Sequence, residues 1–417
     1  MIGSQFAILA LSRALGSVAQ AACMIFLARW TDPVTFGYMS IVIGLGMVMV
    51  AVSDLGLGTY VLRARVVPDL RESVRGALRL NMLSSLVLVA VGIGALILFA
   101  QLDSIFFLMI PAAIWLAAEK NADIWLNISV ADNRAAHAAV AIIVRRGSAV
   151  VVFFGLHFAG VEPVFAFTLS FAIGSVVGLL ASRQLVRIGY SDRVGYRALL
   201  TRSWPYWVSN LTSQIRNLDV LLVALFAGST SSGLYASAVR LTNPILLVTG
   251  SLTSVLLPNV SRSDAHTVRK YHRRLIFAIA CLVALTLALG YPFSVVGVWL
   301  LGPAYADAQP AIFSMLVSMM FVGFSPALAS FLQGLSDSRY AASNGLVFVP
   351  VIIAGVSAGA FVGGALGAAI AIGIVFFLKC LVLEHRILTV LSRLSKRSED
   401  AVDDMAVARR SQGVAKQ

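Results

Sequence analysis

Between Gln5 and Val390 one apolar stretch follows another, each of about 20 residues and parted by short polar breaks. A stretch of that length, wound as a helix, crosses the roughly 30 Å hydrocarbon core of a bilayer. Hydrocarbon offers backbone N–H and C=O groups no partner, so only helices or a closed barrel can cross it. Barrel strands would read as alternating segments of about 10 residues, and these runs do not alternate. The sequence therefore predicts an all-α polytopic membrane protein. Composition agrees: 59% of the 417 residues are hydrophobic and 12% charged, where soluble domains carry about 25% charge. Mean hydropathy is +0.89. A soluble domain, a disordered chain and a fibre are excluded.

Segmentation by hydropathy gives twelve spans, at about 5–28, 38–62, 80–101, 105–128, 138–158, 164–186, 204–227, 232–257, 275–300, 309–334, 341–361 and 366–389. The first lacks a basic leader and runs too long for a signal sequence, so it is expected to be retained. The loops leave no room for a second folded domain. The expected organisation is a six-helix bundle over 1–200, a second over 201–390, and a polar, frayed tail over 391–417.

The net charge is +13, from 32 Lys and Arg against 19 Asp and Glu. In a soluble protein this would suggest nucleic acid; here it reads as topology, because cations hold loops in the cytoplasm. With the N-terminus inside, the loop after span 2 holds Arg63, Arg65, Arg71, Arg75 and Arg79. The loop after span 6 holds Arg183, Arg187, Arg193, Arg197 and Arg202, and that after span 8 holds Arg262, Arg269, Lys270, Arg273 and Arg274. With Arg134, Arg339 and the tail, 24 of the 32 cations fall inside and only Arg29 outside. The expectation is a multi-pass protein of the bacterial inner membrane with both termini cytoplasmic.

Seven cations remain within spans: Arg13, Lys120, Arg145, Arg146, Arg216, Arg240 and Lys379. Asp54, Glu119, Asp123, Asp219 and Glu384 accompany them. A charge facing lipid is costly, so these should face a cavity or one another. Arg145, Arg146 and Glu384 lie near enough to the inner interface to snorkel. Arg216 with Asp219, and Lys120 with Asp123, have the i, i+3 spacing that lets a pair neutralise itself. Arg13 and Arg240 have no acid one turn away. Arg13, Ser17 and Gln20 make a polar stripe on span 1; Asn210, Ser213, Asn217 and Gln214 make one on span 7. The two stripes suggest that spans 1 and 7 line a shared space. Its excess of cations suits an anionic or diphosphate-bearing cargo, for which the planar, permanently charged Arg fork is the better ligand.

Two halves are legible as an internal repeat. Gly37-Tyr38 follows span 1 as Gly233-Leu234-Tyr235 follows span 7; Asp132-Asn133-Arg134 follows span 4 as Asp337-Ser338-Arg339 follows span 10. Six spans per half give both halves one orientation, the arrangement of transporters with a site between pseudo-symmetric halves. Pro244, Pro292, Pro326 and Pro350 lie inside spans and would bend them. Gly355 and Gly359 allow close helix packing, and Gly363 to Gly367 cover a tight outer turn. Cys23, Cys281 and Cys380 are spaced for neither a disulfide framework nor a metal site and read as core residues.

Four stretches carry a resemblance. They are Phe26-Leu27-Ala28-Arg29 through Phe36-Gly37-Tyr38; Asn217-Leu218-Asp219-Val220 with Gly233 to Ala238 and Arg240-Leu241; Leu301-Gly302-Pro303-Ala304-Tyr305 with Ala308; and Gly364 to Ala371. In these the chain resembles the polysaccharide-repeat-unit flippases of the Wzx type, in the superfamily that also holds the multidrug and toxin extruders. The resemblance covers nearly the whole chain. It implies two six-helix bundles rocking around a central cationic cavity, and as cargo an undecaprenyl-diphosphate-linked oligosaccharide moved from inner to outer leaflet for O-antigen or exopolysaccharide assembly. Arg13, Arg216 and Arg240 are the candidates for diphosphate contact, with Arg145 and Lys120 behind them. Gln20, Asn210, Gln214 and Asn217 are candidates for sugar hydroxyls. Asp54, Glu119, Asp123 and Asp219 are candidates for a coupling proton. No cofactor, metal or ATP motif is expected, and no catalytic residue. Partners would be the bilayer, the lipid-linked oligosaccharide and glycan polymerase or glycosyltransferases, with no role for nucleic acid. The rival readings are a cation-coupled drug exporter of the same superfamily, an enzyme of glycan assembly, and a non-transporting scaffold. An exporter of cationic drugs would want an acidic cavity, and a polymerase or ligase a large outer loop.

Overall fold

The computed structural model describes residues 2–186, 188, 194–246, 260, 265–335 and 337–414, with side chains from Ile8 to Arg393 other than those of 209, 212, 213, 215, 216, 265, 266 and 338. Among the described residues there is no strand. The helices are α1 (Ile2–Trp30), α2 (Pro33–Asp54), α3 (Leu57–Val66), α4 (Val74–Phe99), α5 (Ile105–Leu108), α6 (Pro111–Ala131), α7 (Ala135–Phe158) and α8 (Pro163–Gln184). They continue as α9 (Tyr196–Gln214), α10 (Asp219–Thr242), α11 (Ala265–Leu301), α12 (Gln309–Gly334) and α13 (Ser338–Val414). Among the described residues ten helices are long and apolar enough to cross a membrane.

Two of these are hairpins. Tyr235 donates its hydroxyl to Asp219 at 3.2 Å although 16 residues separate them; in a continuous helix they would stand ~24 Å apart. The chain reverses at Gly228, whose φ of 84° a residue with a Cβ rarely adopts. α13 likewise turns at Gly363–Gly364, which brings Gly359 against Gly367. With the hairpins counted as two arms each, the described residues hold ten to twelve apolar helices, in keeping with the expected all-α membrane fold.

Three boundaries differ from those expected. The second span does not run on to residue 62: it breaks at Leu55 and Gly56, both left-handed, and α3 leaves in a new direction. Span 7 starts earlier, at Tyr196, because its first turns are too polar to register as membrane, and a 3-10 turn over Ile215–Leu218 interrupts it. The tail, expected to fray, continues α13 as helix to Val414. Residues 247–257 of span 8 lie outside the described residues.

Helices pack as α1 on α7, α6 and α7 on α8, and α12 on α13. One apolar core joins the halves: Leu27, Phe36 and Met39 share it with Tyr235, Ala238 and Ile312. Cys23 and Cys380 are buried as expected; Cys281 is exposed on α11.

Candidate functional site between the halves

The lipid face of α1 is marked by the exposed Ile8, Leu11, Leu15 and Val18. At 100° per residue, Arg13 lies on the opposite side of that helix, with Ser17, Gln20, Met24 and Leu27 stacked above it. Exposure falls steadily along this second face. Arg13 is exposed, Ser17 and Gln20 are half-buried, and Met24 and Leu27 retain 3% and 0%. An internal face that starts open at an arginine and closes within about three turns is the side of a cleft.

The closed end is sealed by contacts between the halves. Arg29 donates to the carbonyls of Trp299 and Leu300 at 3.0 and 3.2 Å, capping the end of α11. The arginine expected on the side away from the basic loops thus joins the halves. A Cβ on Gly233 would run into the Pro33 carbonyl, so α2 and α10 touch backbone to backbone there. Phe36 meets Tyr305 edge to face at 6.2 Å.

On a second flank the halves stay joined at the arginine-rich end too. Trp207 of α9 donates to the carbonyls of Ala51 and Val52 at 3.1 and 3.0 Å. Asn210 donates to Asp54 at 3.2 Å, and Arg63 to the Tyr206 hydroxyl at 3.0 Å. Gly56 accepts the α9 backbone so closely that a Cβ would meet Ser203 and Trp207. The polar stripe of span 7 therefore faces α2: Asn210 is bound to Asp54, the Asn217 carbonyl lies against Gly44, and Asn217 donates to Gln214.

Inside the N-terminal half the charges neutralise one another. Glu119 of α6 accepts from Arg146 of α7 and from the Trp115 indole, and Arg145 lies 3.9 Å from it. Arg145 holds Asp123 at 2.7 Å. Asp123 does not pair with Lys120, its neighbour in sequence. Lys120 is buried and donates to the Ser53 carbonyl at 2.9 Å and the Ser84 hydroxyl at 2.7 Å, with Asp54 in electrostatic reach. Asp123 is exposed on the side of α6 opposite the exposed Ile114.

In the C-terminal half, Asp219 is buried at the start of α10, capping Val220 at 2.7 Å and accepting from Tyr235. Arg240, two turns past Gly233, is half-buried with its Nε shielded and without a hydrogen-bond partner among the described residues; Asp219 is in electrostatic reach. Among the described residues no three His, Cys, Asp or Glu side chains gather to hold a metal ion.

The sequence model of the family described as polysaccharide biosynthesis protein matches residues 2–264. The chain belongs to that family. No curated protein sequence matches it. Among solved structures it is similar to a multidrug resistance MATE family transporter of the MOP superfamily in its inward-facing conformation, with TM-score 0.72, 17% identity, 94% of this chain and 99% of that one covered. The outward-facing conformation of such a transporter gives 0.63 at 16% identity, covering 93% and 94%. A MOP superfamily transporter from Pyrococcus furiosus, described as having a binding pocket of reverse polarity that suggests a different function, gives 0.61 at 18% identity, covering 94% and 96%. The fold is thus the one these transporters share, built of apolar helices in two pseudo-symmetric halves.

The structure brings Arg13, Ser17 and Gln20 onto one face of α1 and Arg240 near Asp219, while Arg145 and Lys120 turn into the N-terminal half. The side chain of Arg216 lies outside the described residues. Sequence reasoning missed three partners: Tyr235 for Asp219, His272 for Glu384 at 2.8 Å, and Arg65 for Asp132 at 2.7 Å. Asp132 and Tyr235 left a trace, since each belongs to one of the two repeated motifs; His272 left none.

Proposed function

We propose that this polysaccharide biosynthesis protein carries undecaprenyl-diphosphate-linked oligosaccharide repeat units from the inner to the outer leaflet of the cytoplasmic membrane by alternating access. The observation that carries this reading is the graded face of α1, open at Arg13 and shut at Met24 and Leu27. The arginine-rich loops give that open end to the cytoplasm, with the halves over 1–200 and 201–390 and the tail on the same side. The better fit to the inward-facing transporter supports the same state.

Unaided, a sugar chain and a diphosphate would have to pass through hydrocarbon. The cleft replaces water for them, and the lipid tail stays in the bilayer beside α1. Arg13 meets the diphosphate first; from the rise per residue it stands ~25 Å below the outer end of α1. Gln20 and Arg240 lie near the midplane and receive it next. The buried Nε of Arg240 supports that role, because an unmet donor of a charged group is costly until an anion fills it. Arg216 completes the set. Arg145 and Lys120 act behind it, fixing the wall rather than touching cargo. Asn210, Gln214 and Asn217 bind sugar hydroxyls once α9 parts from α2. Asp54 is the coupling candidate, since Glu119 and Asp123 are tied to arginines and Asp219 to Tyr235. Glycan polymerase or glycosyltransferases would dock on the basic face.

The test is made in cells depleted of the protein, using a membrane-impermeant sugar-modifying probe on lipid-linked oligosaccharide. Build-up confined to the inner leaflet is expected, reversed by wild type and not by Arg13→Ala, Arg216→Ala or Arg240→Ala at normal expression. Arg216→Lys should keep part of the flux. Normal surface glycan without build-up would overturn the reading, and altered resistance to cationic drugs would then favour the exporter.

A further inference from the structure

A cavity of about 440 Å³ opens on the flank of the N-terminal half, between α4, α6 and α8 and away from the cleft. Its rim carries three guanidinium groups. Arg75 and Arg79 come from the first two turns of α4 and Arg183 from the last turn of α8. Beneath them the wall is apolar, with Leu78, Met82 and Leu179, and the buried Asn121 and half-buried Trp125 of α6 form its back. Met82 lies two turns, or ~10 Å, deeper than Arg75. The cavity is thus charged at one end and apolar at the other.

Topology alone does not account for this shape. The positive-inside rule asks for arginines on a loop, and asks nothing about a chamber below them. Arg183 lies over the Trp125 ring, 5.8 Å from its centroid, so its guanidinium is held at the mouth rather than spread into solvent. Among the described residues neither Arg75 nor Arg183 is paired with a carboxylate. Arg75 also lies in the first turn of α4, where the peptide dipoles disfavour a cation. An anion seated at this rim would give Arg75 and Arg183 a partner and offset the dipole at Arg75.

We propose that this cavity is a binding site for an anionic phospholipid of the inner leaflet. The phosphate sits among Arg75, Arg79 and Arg183, and the glycerol and first acyl carbons lie along Leu78, Met82 and Leu179. The charge complementarity selects an anion, and the apolar wall below it selects a lipid over a free phosphate. The bound lipid bridges α4 to α8 on the half whose interior is already fixed by ion pairs. The site is separate from the transport cleft and does not depend on what the cleft carries.

Native mass spectrometry of the purified full chain tests it, with phosphatidylglycerol and phosphatidylcholine offered in equal amounts and glycerol phosphate or inorganic phosphate as competitors. Wild type is expected to retain phosphatidylglycerol preferentially, and neither competitor to displace it. Each of Arg75→Gln, Arg79→Gln and Arg183→Gln should cut the preference about fivefold. Met82→Trp, which fills the chamber and leaves every arginine in place, should abolish retention. Arg273→Gln with Arg274→Gln, on the basic face of the other half, should leave it unchanged. Equal retention of the two lipids would overturn the proposal, as would displacement by free phosphate. So would a preference that follows Arg273 and Arg274 as closely as the three rim arginines, or one that survives Met82→Trp.

Discussion

The N-terminal half carries its charges at its centre, in Glu119, Arg145, Arg146 and Lys120, whereas in the C-terminal half Asp219 and Arg240 lie on α10 and the packing of α12 on α13 is small and apolar. There Gly359 rests on Gly367, Gly355 on Val375, and Ser318 donates to the Ala369 carbonyl at 2.7 Å. Among the described residues, two ion pairs of that half sit at its basic rim, Arg386 with Asp337 and His272 with Glu384. Prolines at helix starts occur in both halves, Pro303 and Pro310 among them, but those inside helices fall, among the described residues, in the C-terminal half. Pro33, Pro68, Pro111 and Pro163 all open helices, where the missing N–H costs nothing. Pro205, Pro292, Pro326 and Pro350 lie inside helices, where each removes a backbone hydrogen bond and permits bending. A charged core tolerates one geometry, because every partner must stay in place; smooth faces and kinked helices tolerate several. The N-terminal half is thus the more narrowly determined of the two.

The largest test of that contrast is Glu119→Gln. It leaves Arg145 and Arg146 facing each other with half their compensation gone. Breaking a buried pair by removing one partner costs about 3–5 kcal/mol, so thermal unfolding of the purified protein should fall steeply or assembly should fail. Glu384→Gln at the rim of the other half removes a bond to a histidine that is charged only when protonated, and should cost about 1 kcal/mol. Equal losses would erase the distinction between the halves.

Pro326→Ala sharpens the contrast from the other side. It restores a backbone bond in α12 and straightens it, so unfolding temperature should hold or rise while flux across the membrane falls several-fold. Pro163→Ala, at the first turn of α8, should change neither by much. Flux unaffected by Pro326→Ala would mean that the bend is static.

Much of the fold was legible because hydropathy reports each span without knowledge of its neighbours. The repeat was legible too, since Gly37 and Gly233 sit at close backbone contacts where no other residue fits. The pairing of charges was not. Lys120 and Asp123 share a helix, yet Lys120 turns to Ser53 and Ser84 while Asp123 turns to Arg145, 22 residues on. Which way α6 is rotated depends on α2, α4 and α7 together, and no short-range spacing encodes that. The break at Gly56 was hidden for a related reason: the apolar run continues through it, and only the approach of Ser203 and Trp207 gives the glycine its purpose. Of the candidate site, the stripe on α1 was legible from its period alone, and the stripe on α9 was legible as polar though not as bound to α2.

The smallest effect compares one position across the repeat. The offset that carries Gly37 onto Gly233 carries Asp32 onto Gly228, and the two turns are built differently. Asp32 caps α2, accepting from the Val34 and Thr35 amides at 2.8 and 3.1 Å and from the Thr35 hydroxyl at 2.7 Å. Gly228 reverses the chain through its φ of 84° and has no side chain to cap with. Asp32→Ala and Gly228→Ala should each cost about 1 kcal/mol, the first as a lost cap and the second as backbone strain. Acid separates them. Partial burial raises the Asp32 carboxyl, but the hydrogen bonds from Thr35 and Val34 outweigh it and hold the group below its ordinary value. A carboxylate stabilised in this way contributes fully above its unfolded pKa of about 4 and loses that contribution as pH falls further. The gap between wild type and Asp32→Ala, read as unfolding temperature, should therefore be full at neutral pH and close on acidification, while the gap to Gly228→Ala stays constant. A Gly228→Ala gap that also closed in acid would show that the second turn, too, depends on a carboxylate.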